Sequence, residues 1–272
     1  SSDTSTPDGP MHLTLAFNPS HLEFISPVVM GAVRARQDHY DKEPSSHSYA
    51  LAVQVHGDSA FAGQGVVMET LSMSKTKAYD TGGSIHIILN NQVGFTTNKP
   101  EDTRSSRYCS DLGKMIDAPI IHVNADDVEA VIQVAKLAVD YRSTFHKDII
   151  IDLVGFRRHG HQEVDEPRAT QPELYRLIDQ HPGARTLYAQ QLIAEGVVSQ
   201  AEVDQIWLDY RDVLDAGKQT IETLSEGLVQ RYFDYWTPYI DQQWRAPADT
   251  SVDAATIQRL AASLETLPEG FT

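Results

Sequence analysis

The chain has 272 residues, 41% of them hydrophobic, enough for one large domain or two small ones with a sizeable core. Its 38 acidic residues against 22 basic ones leave a formal charge of -16, which argues against a nucleic-acid surface, because a phosphate backbone rewards clustered Lys and Arg. Cys109 is the only cysteine, so no internal disulfide forms and a reducing compartment is the simplest reading; no apolar stretch approaches the ~20 residues that a membrane-spanning helix needs.

The opening SSDTSTPDGP has neither the charged start nor the apolar stretch of a signal peptide, and it lacks an initiator Met. The closing LPEGFT is equally unlike a finished tail, so the expectation is a piece of a longer polypeptide. Five apolar, often β-branched runs follow in order: MHLTLAF (11–17), YALAVQV (49–55), SIHIILN (84–90), PIIHVNA (119–125) and DIIIDLVGF (148–156). They are near-continuous rather than alternating, which suits strands buried on both faces of a parallel sheet. The segments between them have helical composition. In DDVEAVIQVAKLAVDYRST, Asp126 is the expected cap with Glu129 three residues on, and Val128, Val131, Ile132, Ala135 and Val139 recur on one face. Strand and helix in alternation predict an α/β fold, a three-layer parallel sheet with helices on both faces, over residues 1–171.

Beyond about residue 170 the strand signals stop. A Ser199-x-x-Glu202 capping box opens a long periodic run, and residues 172–245 are expected to be helices packed on the sheet domain. RAPADTSVD (245–253) has linker composition, with a short helix expected near 253–266, so that 246–272 forms a linker and the start of a further connection.

In an open parallel sheet, ligands bind beyond the carboxyl ends of the strands. Two polar clusters fall there: Gly57, Asp58, Ser59, Ala60 after the run 49–55, and Asn90, Asn91, Gln92, Val93, Gly94 after the run 84–90. One carboxylate, an amide and a backbone carbonyl meet the needs of Mg2+, which leaves its other positions to phosphate and water. The small residues at 57, 59 and 60 let a diphosphate approach the backbone. A lone strand-end Gly-Asp is more often a turn or a helix cap; it is the pairing with an amide cluster after the next strand that favours a site.

GDS…NNQ resembles the thiamine-diphosphate motif, Gly-Asp-Gly followed by Asn-Asn, with Ser59 in place of the third Gly and a slightly longer gap. FNPSHLEFISPVVMGAVRARQD, HGDSAFAGQGVVMETLSMSK, GGSIHIILNNQVGFTTN, SSRYCSDLGKMIDAPIIHVNADD, FRRHGHQEVDEP and TQPELY together resemble the decarboxylating first components of 2-oxoglutarate dehydrogenase, over about residues 11–182. That resemblance implies a thiamine-diphosphate-binding fold. It also implies that the chain is the diphosphate-binding domain, separated from an upstream segment and from the pyrimidine-binding domain that follows, and inactive by itself. It implies Asp58, the Asn91 side chain and the Val93 carbonyl as Mg2+ ligands, Ser59 and Ala60 lining the cofactor, and Ser20 and Leu22 at the substrate and thiazolium end. It further implies 2-oxoglutarate as substrate, a lipoyl-bearing succinyltransferase as partner, a homodimer in the full-length enzyme, and a bacterial cytoplasm or mitochondrial matrix. A sister enzyme for another keto acid and a noncatalytic binding module are the alternatives.

Three histidines and one arginine complete the candidate set. The resemblance puts His161, the second His of RRHGHQEVDEP, in the active site, where an imidazole can transfer protons; a solvated charged turn is the competing reading. His21 suits an anionic substrate, and packing beside Leu22 explains it equally well. His56, just ahead of Gly57-Asp58, is read as orienting the acid. Arg157 is a candidate diphosphate contact, and an ion pair with Asp165 or Glu166 would also account for it.

Overall fold

A computed structural model describes residues 2–7, 9–40, 47, 49–94, 97, 99–218, 220, 240, 243 and 245–271. Two compact units emerge, residues 15–221 and a smaller one made from residues 1–14 and 222–272.

The larger unit is α/β. Its sheet holds β3 (Val53–Gly57), β4 (Ile85–Asn90), β5 (Ile120–Asn124) and β6 (Ile149–Val154) in the order β3-β4-β6-β5, every pair parallel. β4, β5 and β6 lie within the apolar runs expected of them; β3 overlaps its run, 49–55, only from Val53 and continues past it to Gly57. Helices cover both faces. On one, α2 (Asp58–Gly63), α3 (Val66–Met73) and a 3-10 helix (Cys109–Ile116) bring Phe61, Val67, Leu71 and Cys109 onto Ile88 and Ile150. On the other, Ala138 of α4 (Val128–Phe145) meets Ile85, Val123, Ile149 and Ile151. The edge strand β3 departs from the continuous burial expected: Gln54 and His56 are buried while Val53 and Val55 are 51% and 60% exposed.

Two sequence expectations are corrected. The run 11–17 contributes no strand to the parallel sheet. Its first residues form β2 (Gly9–Leu13), antiparallel to β1 (Ser2–Thr6) in a hairpin of the smaller unit, with the Asp3 carboxylate 2.6 Å from His12 Nδ1 and Thr6 Oγ1 donating to the Gly9 carbonyl. A close local partner thus claims the strand. The cap of α4 is Asp127, whose Oδ1 accepts from the Ala130 N–H at 3.0 Å. Asp126 is engaged elsewhere, 3.0 Å from His181 Nε2, and Glu129 accepts from the Tyr188 hydroxyl.

At the amino ends of the strands, the buried Arg142 of α4 donates to the carbonyls of Gly83, Thr81, His47 and Ala50. One guanidinium thereby satisfies acceptors that no strand partner reaches. Further along, α5 (Pro172–Ile178), α6 (Ala184–Ala194) and α7 (Gln200–Asp215) are helical as expected, and the Ser199–Glu202 capping box opens α7. The remainder of that helical stretch, 221–239 above all, lies outside the described residues. In the smaller unit α8 (Ala254–Glu265) is capped by Asp253, close to the helix expected at 253–266. No helix among the described residues is long and apolar enough to cross a membrane.

Candidate functional site

The strand β3 ends on Gly57, and the chain turns at once into α2, which begins on Asp58. Asp58 is 2% exposed and meets Arg104 Nη2 at 3.2 Å through its Oδ2. Burial raises its pKa above the ordinary carboxylate value, and Arg104 offsets only part of that. No sequence signal singled out Arg104, because the loop that delivers it is remote in sequence and carries no periodicity.

After β4 the loop is fixed from within. The Asn91 Oδ1 accepts from the Val93 N–H at 3.1 Å, and Gln92 sits in the left-handed region at φ 63°. Val93 is buried. The loop runs directly against the start of α2: a Cβ added at Gly94 would stand 2.8 Å from Ser59 Oγ. A side chain there would have to push the Ser59 hydroxyl aside. At Gly57, by contrast, an added Cβ would meet nothing within 4 Å, so its small size answers no crowding within the chain. Ala60 is buried and Ser59 exposed.

The candidate donors on these two neighbouring segments are oxygens: the buried Asp58 carboxylate, the Asn91 amide and the Val93 carbonyl. Among the described residues no group of three His, Cys, Asp or Glu side chains comes together as a metal cluster. Carboxylate, amide and carbonyl oxygens are the donor type that hard cations take, in contrast to thiolate or imidazole sites for softer metals.

The other candidates lie on different segments. Ser20, His21 and Leu22 occupy the exposed turn before α1 (Ile25–Tyr40), with Ser20 Oγ 3.5 Å from His21 Nδ1. His21 is not packed in a core; its ring stands edge-on to Phe24 at 5.4 Å. Glu23, which sequence reasoning passed over, is 2% exposed, and its Oε2 accepts from the Val67 N–H in the first turn of α3 at 2.8 Å. A buried carboxylate on a helix's free N–H group ties the NPSHLE turn to the helix after α2.

His161 lies exposed in the loop beyond β6, its N–H donating to Asp165 Oδ2 at 2.8 Å. That loop is tightly folded, since a Cβ at Gly160 would stand 2.2 Å from the Asp165 carbonyl oxygen. Arg157 Nε reaches the Tyr175 hydroxyl at 3.5 Å, and this hydroxyl donates to the His159 carbonyl. The ion pair weighed for Arg157 does not form: Asp165 serves His161, and Glu166 pairs with Arg168.

His56 is buried, its Nε2 3.3 Å from His86 Nδ1 and its ring 5.0 Å from Phe61. Burial and the neighbouring His86 push it down to about 3. It is a neutral packing group behind α2 rather than a cation.

Comparison with known proteins gives this α/β unit its place. The dehydrogenase E1 component family matches residues 8–256, and the chain belongs to that family. It is 57% identical over 268 residues, 98% of its length, to the 2-oxoglutarate dehydrogenase E1 component of Coxiella burnetii (strain RSA 493 / Nine Mile phase I). It is 52% identical to the protein of the same name from Azotobacter vinelandii over its whole length, and 43% identical over 98% of its length to the mitochondrial 2-oxoglutarate dehydrogenase of Schizosaccharomyces pombe. The chain spans 28% of the length of the first two relatives and 27% of the third.

Proposed function

We propose that this chain is the Mg2+- and diphosphate-binding part of a 2-oxoglutarate dehydrogenase first component. The observation that carries the reading is the approach of Gly94, at the end of the Asn91–Gly94 loop, to Ser59, the neighbour of the buried Asp58, at the carboxyl ends of β3 and β4, in a chain 57% identical to a protein of that name. Asp58, the Asn91 side chain and the Val93 carbonyl would hold Mg2+, with Ser59 and Ala60 beside the diphosphate. When bound, thiamine diphosphate supplies the carbon nucleophile and the electron sink that decarboxylation of a 2-oxo acid requires.

The chain's own groups have distinct tasks. Asp58 gives the one negative charge of the donor set, and a bound metal would share its carboxylate with Arg104. Ser20, His21 and Leu22 form the face offered to 2-oxoglutarate, His21 donating to a substrate carboxylate. His161 moves protons from the loop beyond β6. Arg157 is held by Tyr175 near the same sheet edge as a diphosphate contact. The full-length enzyme would be a homodimer in bacterial cytoplasm or mitochondrial matrix, passing a succinyl group to a lipoyl-bearing succinyltransferase. The isolated chain would bind cofactor without turning over.

Calorimetric titration with thiamine diphosphate tests the reading. Wild-type protein should bind only when Mg2+ is present, and Asp58→Ala should abolish binding while keeping the fold, because it removes a ligand rather than core volume. Equal binding by Asp58→Ala overturns the ligand assignment. A 2-oxoglutarate-dependent dye-reduction assay on the full-length enzyme tests the substrate; preference for a different keto acid overturns it.

A further inference from the structure

A row of side chains crosses the sheet on the α2–α3 side, one from each strand: His56, Ile88, Asp152 and His122 stand in register. Asp152 is the odd member. It sits inside β6 between Ile151 and Leu153, is 1% exposed, and costs several kcal/mol to bury unless its lone pairs are met. They are met specifically. Oδ2 accepts from His122 Nδ1 at 2.8 Å, and Oδ1 accepts from Asn90 Nδ2 at 2.9 Å, with the Cys109 thiol 3.8 Å away.

The Asn90 contact leads into the loop. The Asn90 Oδ1 accepts from the Gln92 N–H at 3.1 Å, which helps to hold Gln92 left-handed, and Gln92 Nε2 closes the turn on the Gly155 carbonyl at 2.9 Å. An ionised carboxylate only accepts, so Asp152 fixes which end of the Asn90 amide faces it. The NH2 group must point at Asp152 and the oxygen at Gln92. A donor at position 152 would reverse the amide and set its NH2 against the Gln92 N–H.

We propose that Asp152 is a positioning residue for the loop 90–94: acting through Asn90, it sets the loop conformation that presents the Asn91 side chain and the Val93 carbonyl. The inference rests on the reading of those two groups as Mg2+ ligands, and deepens it. It explains why an apolar strand carries a carboxylate at its centre. Outer partners that hold a ligand in place are typically worth about 10–100-fold in metal affinity; Asp152 acts one step beyond them, through Asn90.

The test reverses the polarity of the pair in the full-length protein. Asn90→Asp sets two carboxylates against each other, Asp152→Ala removes the acceptor, and Asn90→Asp combined with Asp152→Asn restores one donor and one acceptor in the opposite order. The restored pair still offers an acceptor to Gln92 and another to His122. Hydrogen exchange over residues 90–94 is read without ligand, and Mn2+ binding is read in the presence of thiamine diphosphate. Each single variant should exchange faster across the loop and bind Mn2+ about 10–100-fold more weakly, and the double variant should recover both. Should Asp152→Ala fail to fold, Asn90→Asp and its rescue decide the matter. Wild-type exchange in Asn90→Asp, or a double variant no better than Asn90→Asp, overturns the proposal. If exchange follows the predicted pattern while no protein, wild type included, binds Mn2+, the positioning stands and the ligand assignment falls.

Discussion

The Asp58 carboxylate and the Arg104 guanidinium meet at 3.2 Å, the first almost wholly buried and the second keeping 20% of its side chain in water. A buried charge that loses its partner is expensive. Arg104→Ala should therefore cost about 2–3 kcal/mol at neutral pH, less than for a fully buried pair because Arg104 is partly solvated. Burial already raises the Asp58 pKa and Arg104 lowers it, so the variant raises it further. The loss should shrink as the pH falls and Asp58 takes up a proton. Urea melts at neutral and acidic pH check this; an equal loss at both contradicts it.

The His56 imidazole, pushed down to about 3 in the folded protein, is free to titrate near 6.5 when unfolded. Between those values the unfolded chain binds the extra proton, so stability is complete above pH 6.5 and lost as the pH falls toward 3. The slope from this group is at most about 1.4 kcal/mol per pH unit. His56→Gln, measured without metal, should flatten the stability profile by that amount.

Cys109 is 1% exposed, and burial together with the nearby Asp152 pushes its thiol up to about 12. The thiolate is the reactive form. Iodoacetamide at pH 8 should leave the folded protein unlabelled for as long as it stays folded, and label it at once in strong denaturant. Rapid labelling of folded protein would place the thiol at the surface.

Gly83 has φ 81°, and an added Cβ would stand 2.2 Å from the Lys147 carbonyl carbon. Both backbone strain and backbone crowding oppose any side chain. Gly83→Ala should cost about 4 kcal/mol or more, among the largest single-residue effects. Gly57→Ala, with open space around it, should cost far less. Thermal melts of the two variants compare them directly.

What the sequence made legible was the part governed by short-range pattern. The runs around β3 to β6 are apolar and β-branched and have no better local partner, so near-continuous hydrophobicity located them. The run 11–17 was misplaced because TPDG, a turn signal, gives it an antiparallel neighbour a few residues away. At the site, Asp58 and the Asn91 loop were visible because strand ends are where open sheets bind ligands. Arg104, Glu23 and Asp152 were not. Each is placed by tertiary contact: Arg104 pairs with a residue 46 positions away, Glu23 with one 44 away, and Asp152 with Asn90 across 62. Composition shows an acid in DIIIDLVGF, but only the sheet register shows which amide faces it.

The edge strand β3 carries two kinds of information in five residues. Gln54 and His56 point into the protein, Val53 and Val55 out of it, and the strand's last bond delivers Asp58. A library of all substitutions along this strand, scored by how much folded protein each yields, should therefore oscillate with a period of two: polar replacements at 53 and 55 accepted, replacements at 54 and 56 rejected. The least apolar-looking positions would prove the least replaceable, the inverse of the usual ranking, because in this strand the polar side chains are the interior.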